Sequence, residues 1–192
     1  PTLIGFLLLA LVIAAFGSSY MTLLPVVARD ILDVGPDGLG LLGAGSGIGA
    51  LMGAFTVAFF SSPRHIKLLL FAGGLGIGPL LILFALSSIF AVSLAMVVVV
   101  GAVLQIAMTS NITLVQMVVP DYIRGRVMGI RYITMGTGTL GILLLGVAAE
   151  VFGPAVALVL MGLFALVLAV VIVVAIPELR QFREPTGVSD AR

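Results

Sequence analysis

Few residues in this 192-residue chain could do chemistry, and their spacing decides whether they can meet. The run GLGLLG from Gly38 to Gly43 matches the G-x-G-x-x-G pattern that brings backbone against a dinucleotide. That pattern works after a strand, at the head of a helix, with an acid about 20 residues further on. Here it follows the short acidic stretch RDILDVGPD and opens an apolar run that holds no acid, so no nucleotide site is expected. Ser46, in GAGSGIG, is the next candidate. Ala44 and Ile48 stand where a nucleophile elbow needs glycine. The only histidine, His65, lies 19 residues on, or about 28 Å along a helix at ~1.5 Å per residue. A serine and its base must lie within hydrogen-bond reach, so an intramembrane hydrolase is not expected. The chain has no cysteine, which removes disulfides and zinc–thiolate sites. No pair of acids is placed to hold metals. The reading is no enzyme, no cofactor and no metal.

The elements that would position such residues follow from composition. Hydrophobic residues make up 61% and charged residues only 9%, with a mean hydropathy of +1.36. A soluble domain carries roughly 25% charged residues because its surface faces water. This chain is therefore an all-α integral membrane protein whose first partner is the lipid bilayer, and no basic aromatic patch suggests nucleic acid. Between Lys67 and Asp121 lie 53 residues without a charge. A span needs about 20 residues, so this interval holds two, hinged at LSSIFA (Leu86 to Ala91). Six transmembrane helices are expected, over about 3–28, 38–60, 67–88, 90–118, 123–149 and 154–176, forming one bundle over 1–183 with a tail at 184–192. Lipid offers no partner to bare backbone, and no segment alternates as a barrel strand would.

Six spans send alternate charge clusters to opposite sides. Arg64, Lys67, Arg124, Arg126, Arg131, Arg180, Arg183 and Arg192 fall on one side and only Arg29 on the other. The positive-inside rule makes the first side, with both termini, cytoplasmic. No acidic or basic residue is then expected at mid-membrane. The N-terminus is apolar from Leu3 and lacks a methionine or a basic leader, so further sequence is expected upstream.

With nucleotide set aside, the glycines of the second span read by helical spacing. Gly45, Gly49 and Gly53 recur every four residues and so share one face, a helix-packing seam that lets another backbone approach closely. A static contact and a sliding one have the same chemistry. GGLGIGP (Gly73 to Pro79) and MGTGTLG (Met135 to Gly141) loosen the third and fifth spans in the same way. Polar residues inside the membrane are costly and mark pathways. Gln105, Thr109 and Gln116 form one stripe of the fourth span, with Asn111 beside it; Tyr20 lies in the first span and Thr137 in the fifth. Each reads as lining a substrate pathway or as an interhelical hydrogen bond.

LLPVVARDILDVGPDGLGLLGAGSGIGALMGAF (Leu23 to Phe55) and VVPDYIRGRVMGIR (Val118 to Arg131) resemble the C-terminal half of a major facilitator superfamily transporter, in the branch of bacterial drug and siderophore exporters similar to enterobactin exporters. The resemblance implies two six-helix bundles around a cavity, alternating access, and proton-coupled efflux of small amphipathic compounds across the bacterial inner membrane. It implies a missing N-terminal six-helix half, or a second copy, as partner, with a small-molecule substrate. It favours Tyr20, Gln105, Asn111 and Thr137 as lining residues and the Gly45/Gly49/Gly53 ridge as the seam between halves. Asp121, Arg124 and Arg126 would form a cytoplasmic gate loop, with Asp121 capping the fifth helix. A half-transporter that only associates with other proteins, without transport, is the alternative.

Overall fold

A computed structural model of the chain describes residues 2–17, 19–60, 62–136 and 138–176, and within them every regular element is helical. Helix α1 (Thr2–Val12) runs into a π-helical turn (Ile13–Gly17), followed by α2 (Tyr20–Asp30). Helices α3 (Pro36–Phe59), α4 (Pro63–Ala85), α5 (Phe90–Val118), α6 (Asp121–Gly136), α7 (Gly138–Phe152) and α8 (Pro154–Ala175) complete the order. Thr137, Arg180, Arg183, Arg192 and the 184–192 tail lie outside the described residues.

Three helix starts are written in proline. Pro36, Pro63 and Pro154 each stand in the first turn, where the missing N–H removes nothing and φ is already helical. α3 and α4 thus begin two and four residues before the apolar runs alone suggest. Ser62 caps α4 by accepting from the His65 N–H at 3.4 Å. Gly153, with φ +85°, makes the turn into α8 that a side chain would strain.

Among the described residues, five segments are long and apolar enough to cross a bilayer: Leu3–Asp30, Pro36–Phe59, Pro63–Ala85, Phe90–Val118 and Pro154–Ala175. The interval expected as the fifth span is covered by α6 and α7, which flank Thr137, a residue outside the described set; among the described residues only Gly141–Phe152 stands out there as a short apolar helix. Composition explains why α6 does not. α6 holds Arg124, Arg126 and Arg131 together with Gly125, Gly129 and Gly136, and this run is too polar to stand out as a span.

Packing turns on small residues. α5 lies against both α3 and α4, and α4 also packs on α8. A Cβ on Gly49 would run into the Val98 carbonyl of α5, and one on Gly53 into the Ala102 carbonyl. From the other side, a Cβ on Gly101 would strike the Ser46 carbonyl. A Cβ on Gly45 would lie 2.9 Å from the Leu94 side chain. The ridge is therefore occupied inside this bundle, by α5. Gly40, Gly43 and Gly47 meet nothing within 4 Å and point away from α5. α4 and α8 cross in the same manner, where a Cβ on Gly162 would lie 2.7 Å from the Gly78 carbonyl.

Gly49→Leu should prise α3 from α5 and lose at least the ~1–3 kcal/mol typical of overpacking. Gly43→Ala, facing open space, should leave the melting temperature of the detergent-purified protein within about a degree or raise it. Equal effects at the two positions would refute a backbone contact on the Gly49 face.

Candidate functional site

The helix break after α1 begins with small residues. Ala14, Ala15 and Gly17 put little bulk into the π turn. The Ser19 hydroxyl donates to the Ala15 carbonyl at 2.6 Å, which offers that carbonyl an alternative to a regular helical bond. Gly141 of α7 approaches the same carbonyl so closely that no Cβ would fit, and Gly138 sits against Ala14. Such π turns recur at functional sites.

Beside this turn α1, α5 and α6 bring three polar groups together. The Asn111 amide on α5 donates from Nδ2 to the Phe6 carbonyl of α1 at 2.8 Å. Arg131 on α6 donates from Nε to Asn111 Oδ1 across a long 3.4 Å. Asn111 is fully buried and Arg131 only 5% exposed. Ala10, Ile13, Ala14, Met108, Asn111 and Arg131 enclose a cavity of about 10 Å³ of water-accessible space, room for about one water molecule. A guanidinium keeps its charge in a protein. Arg131 stands ten residues beyond the start of α6, or about 15 Å along the helix at ~1.5 Å per residue. Arg131 is therefore buried inside the bundle rather than placed among the surface charges. The run of arginines from Arg124 to Arg131 reads as one interfacial cluster in sequence, but the helix carries its last member inward. An ionisable group at such depth is a functional candidate. Chemically, this centre can orient a carbonyl or hydroxyl, or attract an anionic group.

The other expected residues divide between core and stripe. Tyr20 is 1% exposed; its hydroxyl shares a 2.8 Å hydrogen bond with Ser46 Oγ, and its ring meets Phe84 edge-on. In this conformation it ties α2 to α3. Asn111 is drawn into the Arg131 cluster, at the wall of the small cavity. Gln105 and Thr109 are half-buried, and the Gln105 amide donates to Thr109 Oγ1 at 3.0 Å. Gln116 is exposed at the end of the same helix. Thr137 lies outside the described residues. Asp121 is the first residue of α6; its carboxylate pairs with Arg124 at 2.5 Å, and Arg126 is exposed. Both members of that pair are well exposed, and such pairs contribute about 0–1 kcal/mol. Ser46, buried and bonded to Tyr20, is far in role from His65, whose Nδ1 meets Ser62 Oγ at 2.6 Å.

An all-helical chain with five bilayer-length apolar segments and a buried charge among its helices is a multi-pass membrane protein. Residues 2–190 match the profile of the transmembrane secretion effectors, a family of major facilitator transporters, and the chain belongs to that family. Neither a curated protein nor a solved structure matches it.

Asn111→Leu should remove the Arg131 acceptor and the Phe6 donor together. The expected loss is about 1–3 kcal/mol, above the ~0.6 kcal/mol average for hydrogen bonds between membrane helices. A double-mutant cycle with Arg131→Met, read by thermal or denaturant unfolding in detergent, should give a coupling of at least ~0.5 kcal/mol. Strict additivity would separate the two residues.

Proposed function

We propose that the chain is the C-terminal six-helix half of a proton-coupled exporter that moves small amphipathic compounds, of drug or siderophore type, by alternating access. α6 and α7 together form its fifth span, giving six, and both termini lie in the cytoplasm of a bacterial inner membrane. The observation that carries the reading is the buried Asn111–Arg131 pair beside the π turn in a chain of a transporter family. A transport pathway needs polar groups inside an apolar bundle, at the helices that yield most easily. The half-buried Gln105–Thr109 stripe supports it, since a mostly apolar lining with a few amides suits a permissive site.

In this reading Gln105, Thr109 and Gln116 line the route, with Asn111 and Thr137 joining it when the bundle opens. Asp121, Arg124 and Arg126 form the cytoplasmic gate loop. Proton coupling follows from the family resemblance, and so does the partner, an N-terminal six-helix half or a second copy.

Efflux of a panel of amphipathic dyes from cells producing the full-length transporter tests the assignment. Gln105→Leu should change the rate several-fold for some dyes while sparing others, and Arg131→Met should abolish efflux at normal protein levels. Unchanged rates for every dye in both variants would overturn the pathway. In proteoliposomes driven by a pH gradient, the 192-residue chain alone should be inactive until a second half is supplied. Dye uptake by the chain alone would overturn the two-half reading.

A further inference from the structure

The turn between α3 and α4 carries a second feature that the transport reading does not use. Arg64, His65 and Lys67 fall within the first turn and a half of α4 and line a groove of about 430 Å³, whose remaining walls are Leu68 and Phe71. Along the helix the order is cations first and apolar side chains one turn deeper. The same turn exposes Phe59 (83%), Phe60 and Leu68 (65%) on the surface. α3 and α4 are both bilayer-length apolar segments, so the turn joining them lies at the edge of the hydrocarbon layer. No acid occurs between Asp37 and Asp121 in the sequence, and Arg64 makes no salt bridge among the described residues.

These features fit one class of ligand. A phosphate at the rim meets the guanidinium of Arg64 and the ammonium of Lys67, and an acyl chain continues down over Leu68 and Phe71. Ser62 holds the imidazole of His65 through Nδ1 at 2.6 Å, which fixes the ring at the groove edge. Phe60 packs edge-on against that ring, with centroids 5.6 Å apart. A free phosphate would use the cations but leave the apolar walls to water. Basic pockets between membrane helices bind anionic headgroups for this reason.

We propose that the α3–α4 turn is a binding site for an anionic phospholipid, with Arg64 and Lys67 on the headgroup phosphate and Leu68 and Phe71 against an acyl chain. The site needs only that α3 and α4 span the bilayer, so it stands or falls independently of transport.

Native mass spectrometry of the full chain, released from micelles carrying equal phosphatidylglycerol and phosphatidylcholine, tests it. The protein should retain one phosphatidylglycerol in preference to phosphatidylcholine. Arg64→Gln with Lys67→Gln should weaken retention by on the order of tenfold. Arg64→Lys with Lys67→Arg should preserve it. Arg124→Gln with Arg126→Gln removes the same charge outside the groove and should leave retention unchanged. Leu68→Asp, an exposed position, should weaken it without removing a cation. Equal losses from the two glutamine pairs would reduce the effect to diffuse charge and overturn the site. So would equal retention of the two lipids, or displacement by millimolar inorganic phosphate, which would point to a free anion.

Discussion

The bundle is organised by backbone meeting backbone without side chains between. At Gly49 and Gly53, α3 comes against the Val98 and Ala102 carbonyls of α5, and Gly101 returns the contact at Ser46. Lipid tails are as apolar as leucine, so hydrophobicity does not hold helices together there, and close van der Waals packing has to. This contact fixes α5, and α5 in turn sets α4, where Gly73 meets Ala107. α4 then sets α8 through Gly78 and Gly162. With α3 held in this way, Ser46 is placed to meet Tyr20, so the first hydrogen bond between α2 and the rest depends on the same glycines.

How much of this was legible varies with the interaction's range. The membrane class and the all-helical fold were written in composition and in the gaps between charges, because a lipid environment allows few alternatives. The shared face of Gly45, Gly49 and Gly53 follows from a period of four. Its partner does not, and the family resemblance directed it toward a second half, while the fold directs it to α5. Tyr20 and Asn111 are visible in the sequence as polar groups in an apolar setting, but sequence cannot distinguish a lining hydroxyl from one bonded to Ser46. Arg131 was missed because charge clusters are read along the chain. One signal was available: ten residues of helix separate it from Asp121, a depth that interfacial residues rarely need.

The polar interior is arranged unevenly. Tyr20 with Ser46 and Ser93 with Ser87 are neutral pairs that can be satisfied by one bond each. The Arg131 centre is different in kind, because a permanent charge in a low-dielectric setting calls for several dipoles at once. Asn111 bridges it to the α1 backbone: its oxygen faces the guanidinium while its amide hydrogen is given to Phe6. No apolar residue could do both, and an acid would neutralise the centre. The asparagine thus keeps a cation available inside the bundle.

That centre lies on the less regular side of the molecule. α3, α4, α5 and α8 are long helices joined by glycine contacts. α1 breaks into a π turn, and α1, this turn, α6 and α7 pack on one another as well as on α5 and α8. The glycine contact on this side, Gly141 against Ala15, falls on a carbonyl that already takes a hydrogen bond from Ser19. That carbonyl lies in a π turn and bonds a side chain, whereas the Val98 and Ala102 carbonyls sit in an unbroken helix. Among the described residues the one buried charged side chain, Arg131, sits where these segments meet α5.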